Sequence, residues 1–273
     1  MTRQVTARTL TASILALGVL HVIFGAALTR WLAAWSGSPG GRPYWSRALG
    51  LALAATAAWA LAKPRARTPK LVLSALLALP VLVLHLPRAL PSGELGNAWL
   101  GVLKWATLAV APLLLTSRWR ADDDPRPDPV LHVGVRAAPW LFAAFMMISA
   151  ILHVRHDEFV AQLMQPWMPW RMFWTYFAAA ALAAGAVGLL LPRTRRLAAL
   201  LTSLMIFMWF WLVHLPRMLV DPLGPVGWSE LAESLAFSAM ALQLALSARP
   251  RSGSIVTRIG SLSAHAPPAP RGT

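Results

Sequence analysis

The apolar run LVLSALLALPVLVLHLPRAL, residues 71–90, contains the tetrapeptide His85-Leu86-Pro87-Arg88, which occurs twice in the chain. Its second copy, His214-Leu215-Pro216-Arg217, closes the run AALLTSLMIFMWFWLVHLPRM at residues 198–218. The two copies are 129 residues apart. The same offset joins three further pairs, Trp45 and Trp174, Arg67 and Arg196, and Trp99 and Trp228. Several landmarks at one constant offset indicate a tandem duplication.

The composition indicates an integral membrane protein. Of the 273 residues, 57% are hydrophobic and only 13% are charged, and the mean hydropathy is +0.56. A soluble chain of this length needs a much larger polar share. Lys and Arg outnumber Asp and Glu by 25 to 10, but they lie in short clusters between apolar runs, as topology determinants and not as a nucleic-acid site. The absence of Cys excludes disulfides, thiol relays and Cys-ligated metals.

Eight apolar runs predict eight transmembrane helices, because most have about the length that crosses a ~30 Å hydrocarbon core. They occupy residues 10–29, 44–62, 71–90, 97–116, 137–154, 172–191, 198–218 and 227–247. The first run follows Arg3 and Arg8, so a signal peptide is an alternative for it. However, its Leu20-His21-Val22 returns as Leu152-His153-Val154 in the second half, and we therefore predict a retained helix.

The basic residues predict the orientation. With both termini cytoplasmic, the inner segments hold seventeen Lys and Arg residues and the outer loops hold seven. Four helices in each half give both halves the same orientation, as parallel repeats about a pseudo-two-fold axis. We therefore expect an all-α integral membrane protein of two four-helix bundles. Its predicted parts are repeats at 1–117 and 137–248, an Asp/Pro-rich cytoplasmic linker at 118–136 and a disordered basic tail at 249–273.

The two repeated motifs are expected to lie at the outer ends of the third and seventh helices. His85 and Arg88 are three residues apart, as are His214 and Arg217, so each pair can share a helix face. His21 and His153 are expected near the same level. An alternative reading has the arginines reaching the lipid headgroups, with the histidines at the polar boundary.

Two charged residues fall inside predicted spans. Lys104 follows Trp99 by five residues and Glu233 follows Trp228 by five, so they occupy equivalent positions with opposite charge. A single charge within the bilayer is costly and needs a partner, so we predict that the two meet across the pseudo-two-fold axis. Glu230 lies one turn nearer the outer face. Hydrogen bonding between helices is the alternative role for this polar stripe.

The second half resembles the DoxX-like membrane family. The resemblance is carried by Ile151 to Val160, by Pro166-Trp167-Met168-Pro169, by the glycines Gly185 and Gly188, and by the run that ends in His-Leu-Pro-Arg. The first half resembles it less, since Val22-Ile23-Phe24-Gly25 stands where the second half has its acidic pair. The resemblance implies a four-helix bundle per repeat, and some relatives are associated with quinone-linked oxidoreductase complexes.

The leading functional hypothesis is an accessory subunit of the bacterial inner membrane, without catalytic residues, that binds a quinone or lipid-like ligand in an outer-leaflet polar pocket. At most it is a subunit of a quinone-linked oxidoreductase, which would be its protein partner. The predicted ligand-binding residues are His21, His85, Arg88, Lys104, His153, His214, Arg217, Glu230 and Glu233. No spacing is diagnostic of bis-His haem ligation or of a metal site. The alternatives are a small-solute or proton-coupled transporter that uses the interface between the repeats, and a structural scaffold.

Overall fold

In the computed structural model of the chain, the structure describes residues 2–25, 42–93, 95–116 and 129–248, and within these ranges it is helical with no strand. The helices are α1 (Thr2–Phe24), α2 (Arg42–Ala62), α3 (Thr68–Ser92), α4 (Asn97–Thr116), α5 (Pro129–Arg155), the short α6 (Asp157–Gln162), α7 (Arg171–Leu190), α8 (Arg195–Val220) and α9 (Pro225–Ser247). The all-α prediction is confirmed for this part of the chain.

Six of the described helices are long and apolar enough to cross a membrane: α1, α3, α4, α5, α7 and α8. Large apolar side chains also face outward, as Leu204, Phe207 and Trp211 do on α8, which is expected where lipid is the solvent. Helices α2 and α9 have 21 and 23 residues but more polar sequences, with Arg47 in α2, and Glu230 and Glu233 in α9. A membrane protein is therefore supported, and eight spans remain a prediction.

One predicted boundary differs from the observed one. Helix α5 begins at Pro129 and not near residue 137, so the last part of the predicted linker forms its first turns. Proline is favoured at the start of a helix, where its missing N–H has no partner to lose. The rest of the linker, residues 118–128, and the predicted tail at 249–273 lie outside the described residues.

Both α3 and α8 contain a π-helical turn at the repeated motif, over Val81–His85 and Phe210–His214. The cause is the proline that follows. Pro87 and Pro216 have no N–H, and a proline ring collides with the carbonyl four residues earlier in an α-helix. The wider turn relieves this collision. The N–H of Leu86 donates to the carbonyl of Val81, and the N–H of Leu215 donates to the carbonyl of Phe210. Each of these acceptors is five residues earlier, whereas in an α-helix it would be four.

The long helices pack in chain order and close into a ring. Each contacts its neighbour in sequence, α4 contacts α5, and α9 returns to contact α1. Helices α4 and α9, which are not neighbours in this ring, also contact each other. One hydrophobic core joins all eight long helices and includes Leu10 on α1, Trp105 on α4, Phe142 on α5 and Met240 on α9. Since α1 contributes buried side chains to this core, it is an integral part of the fold.

Glycines bring α1 and α2 into backbone contact. A Cβ on Gly18 would lie 2.6 Å from the backbone N of Ala54, and one on Gly50 would lie 2.6 Å from the Cβ of His21. Small residues that allow close helix approach are typical of membrane helix pairs. This contact fixes the position of His21 and connects the packing to the candidate site.

Candidate functional site

The centre of the site is an ion pair between α4 and α9. The Nζ of Lys104 lies 2.9 Å and 2.8 Å from the two carboxylate oxygens of Glu233. The side chains of Lys104 and Glu233 are only 8% and 13% exposed. The predicted contact between these two equivalent positions is confirmed. Removing two charges from solvent is costly, so the pair is stable only because each charge compensates the other.

An aromatic cluster lies beside the ion pair in the first half. The ring of Trp105 stacks on His85, with centroids 6.2 Å apart and an interplanar angle of 20°. His21 meets the same indole edge-on at 6.3 Å. All three side chains are buried. Gly101 makes room for this arrangement, because a Cβ there would lie 2.8 Å from the Nδ1 of His85.

The hydrogen bond of His21 defines its tautomer. Its Nδ1 lies 2.5 Å from the carbonyl oxygen of Leu17, and a carbonyl can only accept, so Nδ1 carries the hydrogen. The Nε2 atom is then the basic nitrogen. His153, at the equivalent position of the second half, makes the same contact to the carbonyl of Ser149 at 2.7 Å. The two predicted equivalents therefore share a local structure.

The second half replaces the aromatic cluster with a carboxylate-centred one. Arg217 donates to Glu230 at 2.5 Å, and the Nδ1 of His214 lies 3.7 Å from the same carboxylate oxygen. At the offset of 129, Glu230 is the counterpart of Gly101, and Ser234 is the counterpart of Trp105. The two regions therefore differ: the first holds a His–Trp–His stack and the second a half-buried ion pair.

The structure brings together most, but not all, of the nine predicted residues. Arg88 lies at the end of α3, one turn beyond His85. His153 bonds within its own helix, and no hydrogen bond or ring contact among the described residues joins it to the other eight. Its assignment to a shared ligand site stays a prediction, because no contact with the other predicted residues supports it.

Trp105 is the residue that sequence reasoning missed. Its indole Nε1 is buried and has no hydrogen-bond partner within the described ranges. Buried polar groups are nearly always paired, so such a donor indicates strain, an ordered water or a ligand. No signal in the sequence singles it out, because α4 and α9 differ at most positions related by the offset of 129.

A further polar contact lies beyond the end of α5. The Tyr176 hydroxyl donates to the carboxylate of Asp157 at 2.5 Å, and this hydrogen bond holds the pKa of Asp157 below its ordinary value. The neighbouring His156 and Glu158 do not complete a metal site. No group of three or more His, Asp or Glu side chains in the described part of the chain is placed to hold a metal ion.

Two large cavities lie away from these residues. One of about 840 Å³ lies where α1 begins and α2 and α4 end. The other, of about 1070 Å³, is an apolar groove between α7 and α8, with Trp167 and Trp174 at one end and Leu191 at the other. None of the nine predicted residues lines either cavity. Their ligand-binding role therefore remains a prediction.

Comparison with known protein families gave a match over part of the chain. A family model described as a domain of unknown function, DUF8561, matches residues 142–250. The match covers α7, α8, α9 and the second part of α5, and hence His153, His214, Arg217, Glu230 and Glu233. No curated protein and no solved structure matches the chain.

Proposed function

We propose that the chain is a membrane protein of eight spans, in which residues 1–117 and 137–248 form two parallel four-helix repeats. The helix contacts support this, because exchanging α1 with α5, α2 with α7, α3 with α8 and α4 with α9 reproduces the observed neighbours. The matched π turns support it too. Helices α2 and α9, at ~1.5 Å per residue, are long enough to span. The proposed location is the bacterial inner membrane, with both termini cytoplasmic.

Within that fold, we propose an accessory subunit that binds a quinone or lipid-like ligand in the polar layer around Lys104 and Glu233. The observation that carries this proposal is the buried Nε1–H of Trp105, which donates to no group in the described structure. A ligand carbonyl is the acceptor that such a donor needs. A membrane oxidoreductase that supplies or consumes the quinone would be the protein partner.

The surrounding residues suit a flat, carbonyl-bearing ring. The imidazoles of His21 and His85 pack against the Trp105 indole, and a cluster built from flat rings supports the proposal of a flat ligand ring. Histidine exchanges protons near neutral pH, and this is what a quinone requires when it is reduced. In this proposal the Lys104–Glu233 pair holds α4 and α9 in position, and Arg217 with Glu230 forms the polar rim.

The test is binding of decylubiquinone to the purified full-length chain, measured by isothermal titration. Trp105→Phe keeps the ring and removes the donor, so we expect binding to weaken about threefold to tenfold, the effect of one hydrogen bond. His85→Ala with His214→Ala should weaken it further. Trp140→Phe, on the exposed surface of α5, is the control and should bind as the wild type does. Unchanged affinity in both site variants would reject the proposal.

A proton-coupled transporter is the second candidate, and one observation favours it. The Lys104–Glu233 pair joins the two halves at their contact, where a permease of parallel repeats would open. Proton flux into liposomes that is lost in both Lys104→Met and Glu233→Gln would favour this function over ligand binding alone.

A further inference from the structure

The cavity of about 840 Å³ is at the opposite end of the helices from the His–Trp–His cluster. Lys70 lies fifteen residues before His85 on α3, which corresponds to roughly 22 Å along a helix at ~1.5 Å per residue. The walls come from the first turns of α1, the turn between α2 and α3, the end of α4 and Gln243 of α9. No residue of the candidate site above takes part.

The lining of this cavity combines positive charge with apolar surface. Its cationic side chains are Arg3, Arg8, Lys63, Arg65 and Lys70, and no acidic side chain is among the described residues that line it. Its inner wall is apolar and includes Ala60, Leu114 and Leu115, all buried. A polar anion alone would not need such a wall, and an apolar ligand alone would not need the cations.

Lys70 is the deepest of these charges. It is 4% exposed, and its Nζ donates to the backbone carbonyl of Pro64 at 2.6 Å. An ammonium group has three donors, and a carbonyl does not neutralise its charge. A buried cation is expected to have an anionic partner. Within the described residues, no carboxylate contacts Lys70, and an anion in the cavity would complete its environment.

The charges that line this cavity are not repeated position by position in the second half. At the offset of 129, Lys70 corresponds to Ala199 and Arg65 to Thr194. At the offset of 132, Arg3 corresponds to Val135 and Arg8 to Trp140. The corresponding turn of the second half is also basic, with Arg193, Arg195 and Arg196, but none of these side chains lines this cavity. The first repeat therefore carries a feature of its own here.

We propose that this cavity binds an anionic amphiphile with a phosphate-bearing headgroup. The headgroup lies against Lys70, Arg8 and Lys63, and an apolar chain lies along Leu114 and Leu115. The volume falls within the range of sites for ligands of this size. This site is separate from the proposed quinone site, so either one can fail without the other.

The test measures binding of three probes to the purified full-length chain by isothermal titration. Dioctanoyl phosphatidylglycerol is the anionic amphiphile, dioctanoyl phosphatidylcholine has no net charge, and inorganic phosphate has no chain. We expect phosphatidylglycerol to bind at least about tenfold more tightly than either of the others. Arg8→Gln with Lys63→Gln should weaken its binding about tenfold or more, because basic side chains each contribute to anionic lipid binding. Both side chains are exposed, so the fold should persist.

The matched control is Arg193→Gln with Arg196→Gln. It removes the same charge from exposed positions of the corresponding turn in the second half, outside the cavity. This variant should bind phosphatidylglycerol as the wild type does. Equal loss in both double variants would mean general electrostatic attraction and would overturn the proposal. Equal affinity for the two lipids, or phosphate binding as tight as phosphatidylglycerol binding, would overturn it as well.

Discussion

In the Lys104–Glu233 pair, removal of one partner is expected to lower the stability of the fold more than removal of both. Both side chains are largely buried, and their charged atoms are in direct contact. Replacing such a pair by apolar residues is often nearly neutral, whereas removing one partner leaves an uncompensated charge. One charge comes from α4 and the other from α9, so neither is compensated without its partner.

This argument predicts a strongly non-additive mutant series. Glu233→Gln should lower the free energy of unfolding by about 3–5 kcal/mol, and Lys104→Met by a similar amount. The double variant should recover most of the loss. Arg217→Gln, which breaks a more exposed pair, should cost no more than about 1 kcal/mol. Unfolding in mixed micelles with increasing dodecyl sulfate measures all four, and additive losses in the double variant would contradict the interpretation.

For single residues, the sequence predicted which side chains meet better than it predicted the surroundings of each side chain. The offset of 129, interpreted as a tandem duplication, led to the correct prediction that Lys104 meets Glu233. It could not single out Trp105 among the 14 tryptophans. Burial and the lack of a partner for its Nε1 depend on the packing of three helices, which no local pattern encodes.

At the scale of the helices, close backbone contact positions the first-half cluster. Gly18 and Gly50 let α1 and α2 approach so closely that a Cβ at either position would lie 2.6 Å from an atom of the other helix. His21 lies one turn beyond Gly18. The helices themselves follow from hydropathy, because a lipid environment leaves few other structures possible. The π turns were not predicted as such. Pro87 and Pro216 favour a widened turn before them, but a proline alone does not require a π turn.

Gly50→Ala should therefore destabilise the α1–α2 pair. The new methyl group would lie 2.6 Å from the Cβ of His21 and 2.7 Å from the carbonyl oxygen of Gly18, so the helices must separate. Overpacking of this kind typically costs about 1–3 kcal/mol. Gly96→Ala is the control, because nothing lies within 4 Å of a Cβ at that site. Thermal unfolding of both variants in detergent checks this, and equal midpoints would be evidence against close packing.

At the scale of the whole molecule, the ring of helix contacts accounts for the number of spans we propose. Helices α2 and α9 are the two that hydropathy alone does not select, yet each packs between neighbours that it does select. On α9, Glu230 and Glu233 form ion pairs within the protein, whereas on α2 Ser46 is buried but Arg47 is exposed. A helix whose charges are paired within the protein, as α9 is, needs less hydrophobicity than one surrounded by lipid.

The number of spans predicts which turns are accessible from each side of the membrane. The chain has no Cys, so single cysteines can be introduced without altering a background. We choose exposed positions related by the offset of 129: Ser92 and Asp221 in outer turns, and Pro64 and Arg193 in inner turns. In right-side-out vesicles, a membrane-impermeant maleimide should label S92C and D221C, whereas P64C and R193C should react only after permeabilisation.

If α2 did not cross the membrane while the N-terminus stayed inside, every later turn up to α9 would change sides and the labelling pattern would reverse. Equal behaviour within each pair is the signature of parallel repeats, and opposite behaviour of Ser92 and Asp221 would indicate inverted ones.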